Sequence, residues 1–258
     1  MTERAHYERD GDVGIVTIDD PPLNLFGREL TVAVTERLRE ARDDSPRCLV
    51  VRAEGNVFTG GADVNVFAGL SEEQARDFTA ELLAITHLVE DLPFPTLSVV
   101  HGLCLTAGFE LSLACDMIWA AESAQFGLVE LVVGLTPLMG GTQRVAERAG
   151  PARARELVMS GGLYPAATLE RWNVVNRVVA DGDLEEKAMR FAQRLAAGPT
   201  LANAATKRII RAQVDTGTRG ADEVTAENGG ALFETADLQE AVRSFLSDGP
   251  GKATFNGR

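Results

Sequence analysis

The sequence predicts an α/β fold with a helical C-terminal part. From Val13 to about Pro151, short β-branched strands alternate with helically spaced segments, the pattern of helices layered on a sheet. From Asp183 to Leu246 the spacing is helical throughout. The chain is also long enough, at 258 residues with 45% hydrophobic, to bury one substantial core with a smaller appendage.

The elements follow in order. Val13 to Asp19 alternates as a strand and is closed by Pro21-Pro22. Gly27 to Asp43 has helical spacing, and Arg47 to Glu54 is a β-branched strand ending at the turn pair Gly55-Asn56. The glycine-rich loop "FTGGAD" comes next, then a helix from Glu72 to Asp91 stopped by "PFP". Thr96 to Gly102 is a strand, Phe109 opens a helix, and "MIWAAE" is a further short strand. Asn173 to Val179 reads as the last strand. The C-terminal helical part is expected to break at Gly198-Pro199, Gly217 and Gly229-Gly230, and "DGPGKATFNGR" reads as a loose tail. No internal repeat or low-complexity tract is legible.

Charge excludes some functions. With 38 acidic against 25 basic residues the net charge is -13, so a basic face for nucleic acid or an anionic membrane is not expected. The most apolar stretch, Leu92 to Ala121, is interrupted by Pro93, Pro95, Glu110 and Asp116 and cannot be a membrane span. The N-terminus is polar and acid-bearing, with no visible leader, and Cys48, Cys104 and Cys115 read as buried free thiols in a reducing compartment, so a cytoplasmic location is expected. No metal, P-loop or dinucleotide motif is present.

Two loops share one grammar of strand, small residues and helix: "VVRAEGNVFTGGADV" and "SVVHGLCLTAGFEL". Small residues admit a ligand close to the backbone, and the first N–H groups of a helix lack intrahelical partners. Facing each other, two such loops could aim two N–H groups at one oxygen as an oxyanion hole. Either loop alone is also ordinary turn chemistry. Glu110 stands at the mouth of the apolar run Leu111, Leu113, Ala114, Cys115. It could serve only the helix dipole; a capping box from Thr106 is ruled out, because residue 109 is Phe. Glu130 lies among Leu128, Val129, Leu131, Val132 and Val133. It is either an outward-facing edge-strand residue or a buried carboxyl of raised pKa, suited to acid–base work.

The stretches "HG…AGFELSLACD", "AQFGLVE" and "GLTPLMGGTQR", with "PPLNLF" and "FTGGADV" upstream and "LFETADLQEAVRSFL" downstream, resemble the enoyl-CoA hydratase/isomerase (crotonase) family over nearly the whole chain. The resemblance implies a crotonase-like spiral of ββα turns over 1–182 that binds acyl-CoA, and a helical trimerisation region over 183–258. It places the oxyanion donors at the backbone of Ala62 and Ala107 and the two hydratase glutamates at Glu110 and Glu130. Ala62, Asp63, Val64, Asn65, Ala107 and Gly108 would meet the substrate. No cofactor is implied beyond the coenzyme A of the substrate, and the partner is a second and third copy of the chain, as a homotrimer or homohexamer. Departures from the family pattern are Thr106 within a run of small residues, His101 where Asn is common, and Val129 in place of a frequent Pro. His101 is expected to stabilise a turn.

These features lead to hydration of a 2-enoyl-CoA as the expected reaction. A double-bond isomerase, another reaction of the superfamily, and a non-catalytic acyl-CoA- or RNA-binding member remain as alternatives.

Overall fold

The computed structural model of the chain describes residues 3–257. Its main sheet has six strands in the order β1 (Ala5–Asp10), β2 (Val13–Ile18), β3 (Cys48–Ala53), β4 (Thr96–Val100), β6 (Met117–Ala121) and β9 (Arg177–Val179). β1 pairs antiparallel with β2, and every other pairing is parallel, with Val16 opposite Val51 and Val51 opposite Ser98. A second sheet of three short strands, β5 (Leu103–Leu105), β7 (Gln125–Gly127) and β8 (Tyr164–Pro165), lies beside it.

β2 is buried at all six residues because α1 (Arg28–Asp44) and α7 (Leu184–Ala196) both pack against it. Strands covered on both faces read as continuous apolar runs, which is why β2, β3 and β4 are legible in the sequence. α7 contributes Leu184, Ala188, Ala192 and Ala196 to the same core, so that core continues past residue 182. α2 (Glu72–Glu90) starts with a capping box between Ser71 and Gln74.

The helix expected from Phe109 starts earlier, as α3 (Thr106–Ala114), and all nine of its residues are buried. A helix without a polar stripe belongs inside a protein. α3 fills the space between α2, α4 (Gly141–Ala149) and both sheets, so whatever it carries at its N-terminus is presented from the molecule's interior.

Several expectations are corrected. Residues 173–176 are not strand: Asn173 takes a left-handed φ of 63°, and only Arg177–Val179 pair. α5 (Pro151–Ser160) and α6 (Ala166–Arg171) occupy the region between the strands and the C-terminal part. α8 (Thr200–Leu232) departs from helical geometry at Gly217, as expected, but runs through Gly229-Gly230; the chain turns at residues 233–235 before α9 (Ala236–Asp248), where Thr235 caps the Leu238 N–H. The tail is tied down. Asn256 and Gly257 donate their N–H groups to the buried Asp237 carboxylate at 2.7 and 2.8 Å, and Arg47 donates to the Phe255 carbonyl at 2.8 Å. No helix among the described residues is long and apolar enough to cross a membrane.

Candidate active site

The two small-residue loops meet. Thr59 forms a parallel bridge with Cys104, donating its N–H to the Leu103 carbonyl and accepting that of Leu105. The Thr59 hydroxyl donates to the Asn24 carbonyl at 2.8 Å and accepts the Gly61 N–H at 2.9 Å. Asn24, buried, donates through Nδ2 to the carbonyls of Glu54 and Val57 at 3.0 Å, tying the first loop to its own strand end. Glycine is required twice here by close approach. A Cβ on Gly108 would stand 2.0 Å from Thr59 Cγ2, and one on Gly61, whose φ is +105°, would stand 2.6 Å from Thr106 Oγ1. His101 lies in the turn as expected, with Nε2 3.0 Å from the Gly55 carbonyl.

Glu110, on the first turns of α3, is only 2% exposed. Its Oε1 accepts the N–H groups of Met139 at 2.8 Å and Gly141 at 2.9 Å. Burial, and then the charge of Glu130, push its pKa up to about 8, against the opposing pull of those two N–H groups. The loop that supplies them is held by Arg144, which forks onto Glu90 at 2.8 and 2.6 Å and donates to the carbonyls of Met139 and Gly140. Sequence reasoning gives Arg144 no role. Its position three residues after Gly141, in the "GGTQR" helix start, is the available signal.

Glu130 is not on an edge strand. It opens a 3-10 turn, Glu130–Val133, and both carboxylate oxygens are buried without a hydrogen-bond partner. Desolvation raises its pKa to about 7. The twenty-residue separation is closed by the fold: Glu110 and Glu130 line one cavity of about 220 Å³ together with Ala62, Thr106 and Ala107. Its remaining walls are largely apolar, with Phe67 and Phe78 in edge-to-face contact at 6.2 Å and Leu82 and Leu138 alongside. Phe78 and Leu82 are four residues apart on α2, a spacing that marks an inward face but gives no hint that a ligand space lies beneath it.

The other expected substrate-binding residues divide. Ala62, Val64 and Ala107 line the cavity. Asp63 instead caps the 3-10 turn Val64–Phe67 by accepting the Asn65 N–H at 3.0 Å, Asn65 Nδ2 is held by the same carboxylate, and Gly108 is packed on Thr59. The Ala107 N–H, in the first turn of α3, meets no protein acceptor among the described residues. The Ala62 N–H does not stand free beside it: it donates to Thr106 Oγ1 at 2.8 Å. No cluster of His, Cys, Asp and Glu fit to hold a metal exists among the described residues.

An apolar cavity bearing two carboxyls of raised pKa and an unengaged helix-start N–H has the groups that acid–base chemistry requires. The chain belongs to the enoyl-CoA hydratase/isomerase family, whose model matches residues 8–257. It is 36% identical over 214 residues to the carnitinyl-CoA dehydratase of Salmonella typhimurium (strain LT2), covering 82% of each chain. Its fold is similar to that of enoyl-CoA hydratase subunit I from Geobacillus kaustophilus HTA426, with a TM-score of 0.93, 30% identity and full coverage of both chains. The enoyl-CoA hydratase of Bacillus anthracis superposes with a TM-score of 0.89 at 27% identity, covering 99% of this chain and 100% of that one.

Proposed function

We propose that this chain adds water across the double bond of a 2-enoyl-CoA thioester, or runs the same reaction in reverse. The observation that carries the reading is the placement of Glu110 and Glu130 in one apolar cavity, both with raised pKa values, beside the Ala107 N–H. Like charges in a dry site cannot both persist, so the pair holds one proton near neutrality, and the apparent values belong to the pair. One carboxylate is then a base while the other is an acid.

Hydrogen bonding distinguishes the roles. Burial gives Glu110 the higher value, about 8 against about 7 for Glu130, but two N–H donors from another loop on Glu110 Oε1 favour its ionised form, whereas Glu130 accepts no hydrogen bond from another residue, and the roles are assigned on that geometry. Glu110 therefore takes a proton from the water whose oxygen bonds to C3. The π electrons move to the thioester oxygen, and the enolate so formed takes a proton at C2 from Glu130. One water is added, and the pair is reset when Glu110 releases its proton to solvent and Glu130 takes one up. The cavity's apolar walls fit an uncharged acyl chain, and no group beyond the substrate's coenzyme A takes part.

A second substrate is favoured by one observation. The Salmonella relative is a carnitinyl-CoA dehydratase, and the Phe67–Phe78 pair in the cavity wall could face a quaternary ammonium. The alternative reaction, double-bond isomerisation, needs a single carboxylate as shuttle and leaves the second buried carboxyl without a task. The test is a panel of enoyl-CoA thioesters of several lengths, with the trimethylammonium-bearing one included, following loss of the conjugated thioester chromophore. Loss of chromophore with a neutral acyl chain supports the hydratase reading. Turnover confined to the charged one moves the substrate toward that of the relative.

The chain is further proposed to work as a trimer or a dimer of trimers. Phe233, Val242, Phe245 and Leu246, on or beside α9, are exposed in the single chain, Leu246 at 79%. Apolar side chains concentrated in this way are typical of a covered surface.

A further inference from the structure

Thr106 is the residue that the site as described leaves unexplained. It is β-branched, yet its φ is +43°, in the left-handed region that disfavours such side chains. Its hydroxyl oxygen accepts the Ala62 N–H at 2.8 Å, and no protein group among the described residues accepts the hydroxyl proton. It lines the cavity beside Ala107.

The contact is built rather than incidental. Gly61 carries no Cβ where one would stand 2.6 Å from Thr106 Oγ1. The two loops are joined by the Thr59–Cys104 bridge and by the packing of Gly108 on Thr59, which set the spacing between Ala62 and Thr106. A glycine at 106 would fit this backbone without strain and leave the Ala62 N–H open to the cavity.

We propose that the Thr106 hydroxyl is the second oxyanion donor. Ala62 N–H donates to Thr106 Oγ1, and the Thr106 O–H and the Ala107 N–H donate to the thioester oxygen. No proton is transferred along this chain. The Ala62 N–H polarises the hydroxyl, which then carries a stronger hydrogen bond to the oxygen as enolate charge develops there. This extends the reach of the first loop by one side chain. The assignment rests on the enolate chemistry proposed above.

Three variants test it, with thermal melting to verify that each is folded. Thr106→Val keeps the shape and removes the donor, and should lower kcat about 10²-fold or more, the scale for losing one oxyanion donor, with KM little changed. Thr106→Ser should remain close to the parent. Thr106→Gly should recover activity above Thr106→Val, because the Ala62 N–H is then bare. A second readout uses acetoacetyl-CoA, whose enolate absorbs at longer wavelength than its keto form. The enolate band should appear with the parent and the Ser variant and be lost with Thr106→Val. A Thr106→Val protein with parental kcat and enolate band overturns the proposal, as does a Ser variant no better than Val. Val and Gly variants that both exceed the parent would make the hydroxyl an obstruction instead. If the parent binds acetoacetyl-CoA without an enolate band and turns over no enoyl thioester, the enolate reading itself fails, and the role of Thr106 falls with it.

Discussion

Gly141 donates its N–H to Glu110 Oε1 at 2.9 Å, and a Cβ on Gly141 would stand 2.8 Å from Glu110 Cγ. The loop that begins α4 is thus moulded onto a buried carboxyl from another helix. Burying that carboxyl is a cost to the folded state, which the N–H groups of Met139 and Gly141 reduce without cancelling.

The first prediction follows from that cost. Folding raises the Glu110 pKa from the ordinary 4.5 to about 8, so the folded chain holds this proton more tightly than the unfolded chain. The stabilisation is complete below the unfolded value and is lost as pH rises through the folded one. Glu110→Gln does not titrate, and its amide oxygen can still accept both N–H groups. Its thermal midpoint relative to the parent should therefore rise steadily between pH 5 and pH 8.5. The gain at the upper end is on the order of 1–3 kcal/mol, because a tenfold change in proton affinity is worth roughly 1.4 kcal/mol and relaxation of the site recovers part of the cost. Melting curves that show a pH-independent difference would contradict the raised pKa.

Glu110 also shows what the sequence makes legible. A charge at the head of an apolar run is visible in one dimension, and so are β2, β3 and β4, because strands buried on both faces need unbroken apolar residues. β1 escapes a reading of this kind because, at the edge of its sheet, it is built from "AHYERD", the polar sequence an edge strand tolerates. β5, β7 and β8 are two or three residues long and leave no period to read. The α8 helix passes through Gly229-Gly230 because the pair falls in its last turn, where a glycine costs no more than the roughly 1 kcal/mol of a helix interior. The Glu130 conformation and the Thr106–Ala62 bond depend on loops meeting across the fold, and no local pattern encodes them.

The second prediction concerns the closeness of the loops. Gly108→Ala puts a methyl 2.0 Å from Thr59 Cγ2 and should destabilise the chain by about 1–3 kcal/mol, the usual range for overpacking. Thr59→Ser removes that Cγ2 and keeps the hydroxyl bonds to Asn24 and Gly61. The double variant should therefore be more stable than the sum of the two single effects. Denaturant midpoints for the four proteins measure the coupling, and strict additivity would show that the loops are free to move apart.

The third prediction is assembly. At micromolar concentration, light scattering should give the mass of three or six chains, and a charge placed at Leu246, as in Leu246→Asp, should lower it. A stable monomer of the parent chain would remove the proposed role of the exposed residues around α9.

The central claim is that Glu110 and Glu130 act together on one enoyl thioester. It is tested most directly by assaying hydration of 2-enoyl-CoA and conversion of 3-enoyl-CoA to 2-enoyl-CoA side by side, on the parent, Glu110→Gln and Glu130→Gln. The account predicts that the parent hydrates and that each substitution cuts hydration by at least about 10²-fold while thioester binding persists. A parent that isomerises but adds water poorly, with one of the two substitutions tolerated, would contradict it.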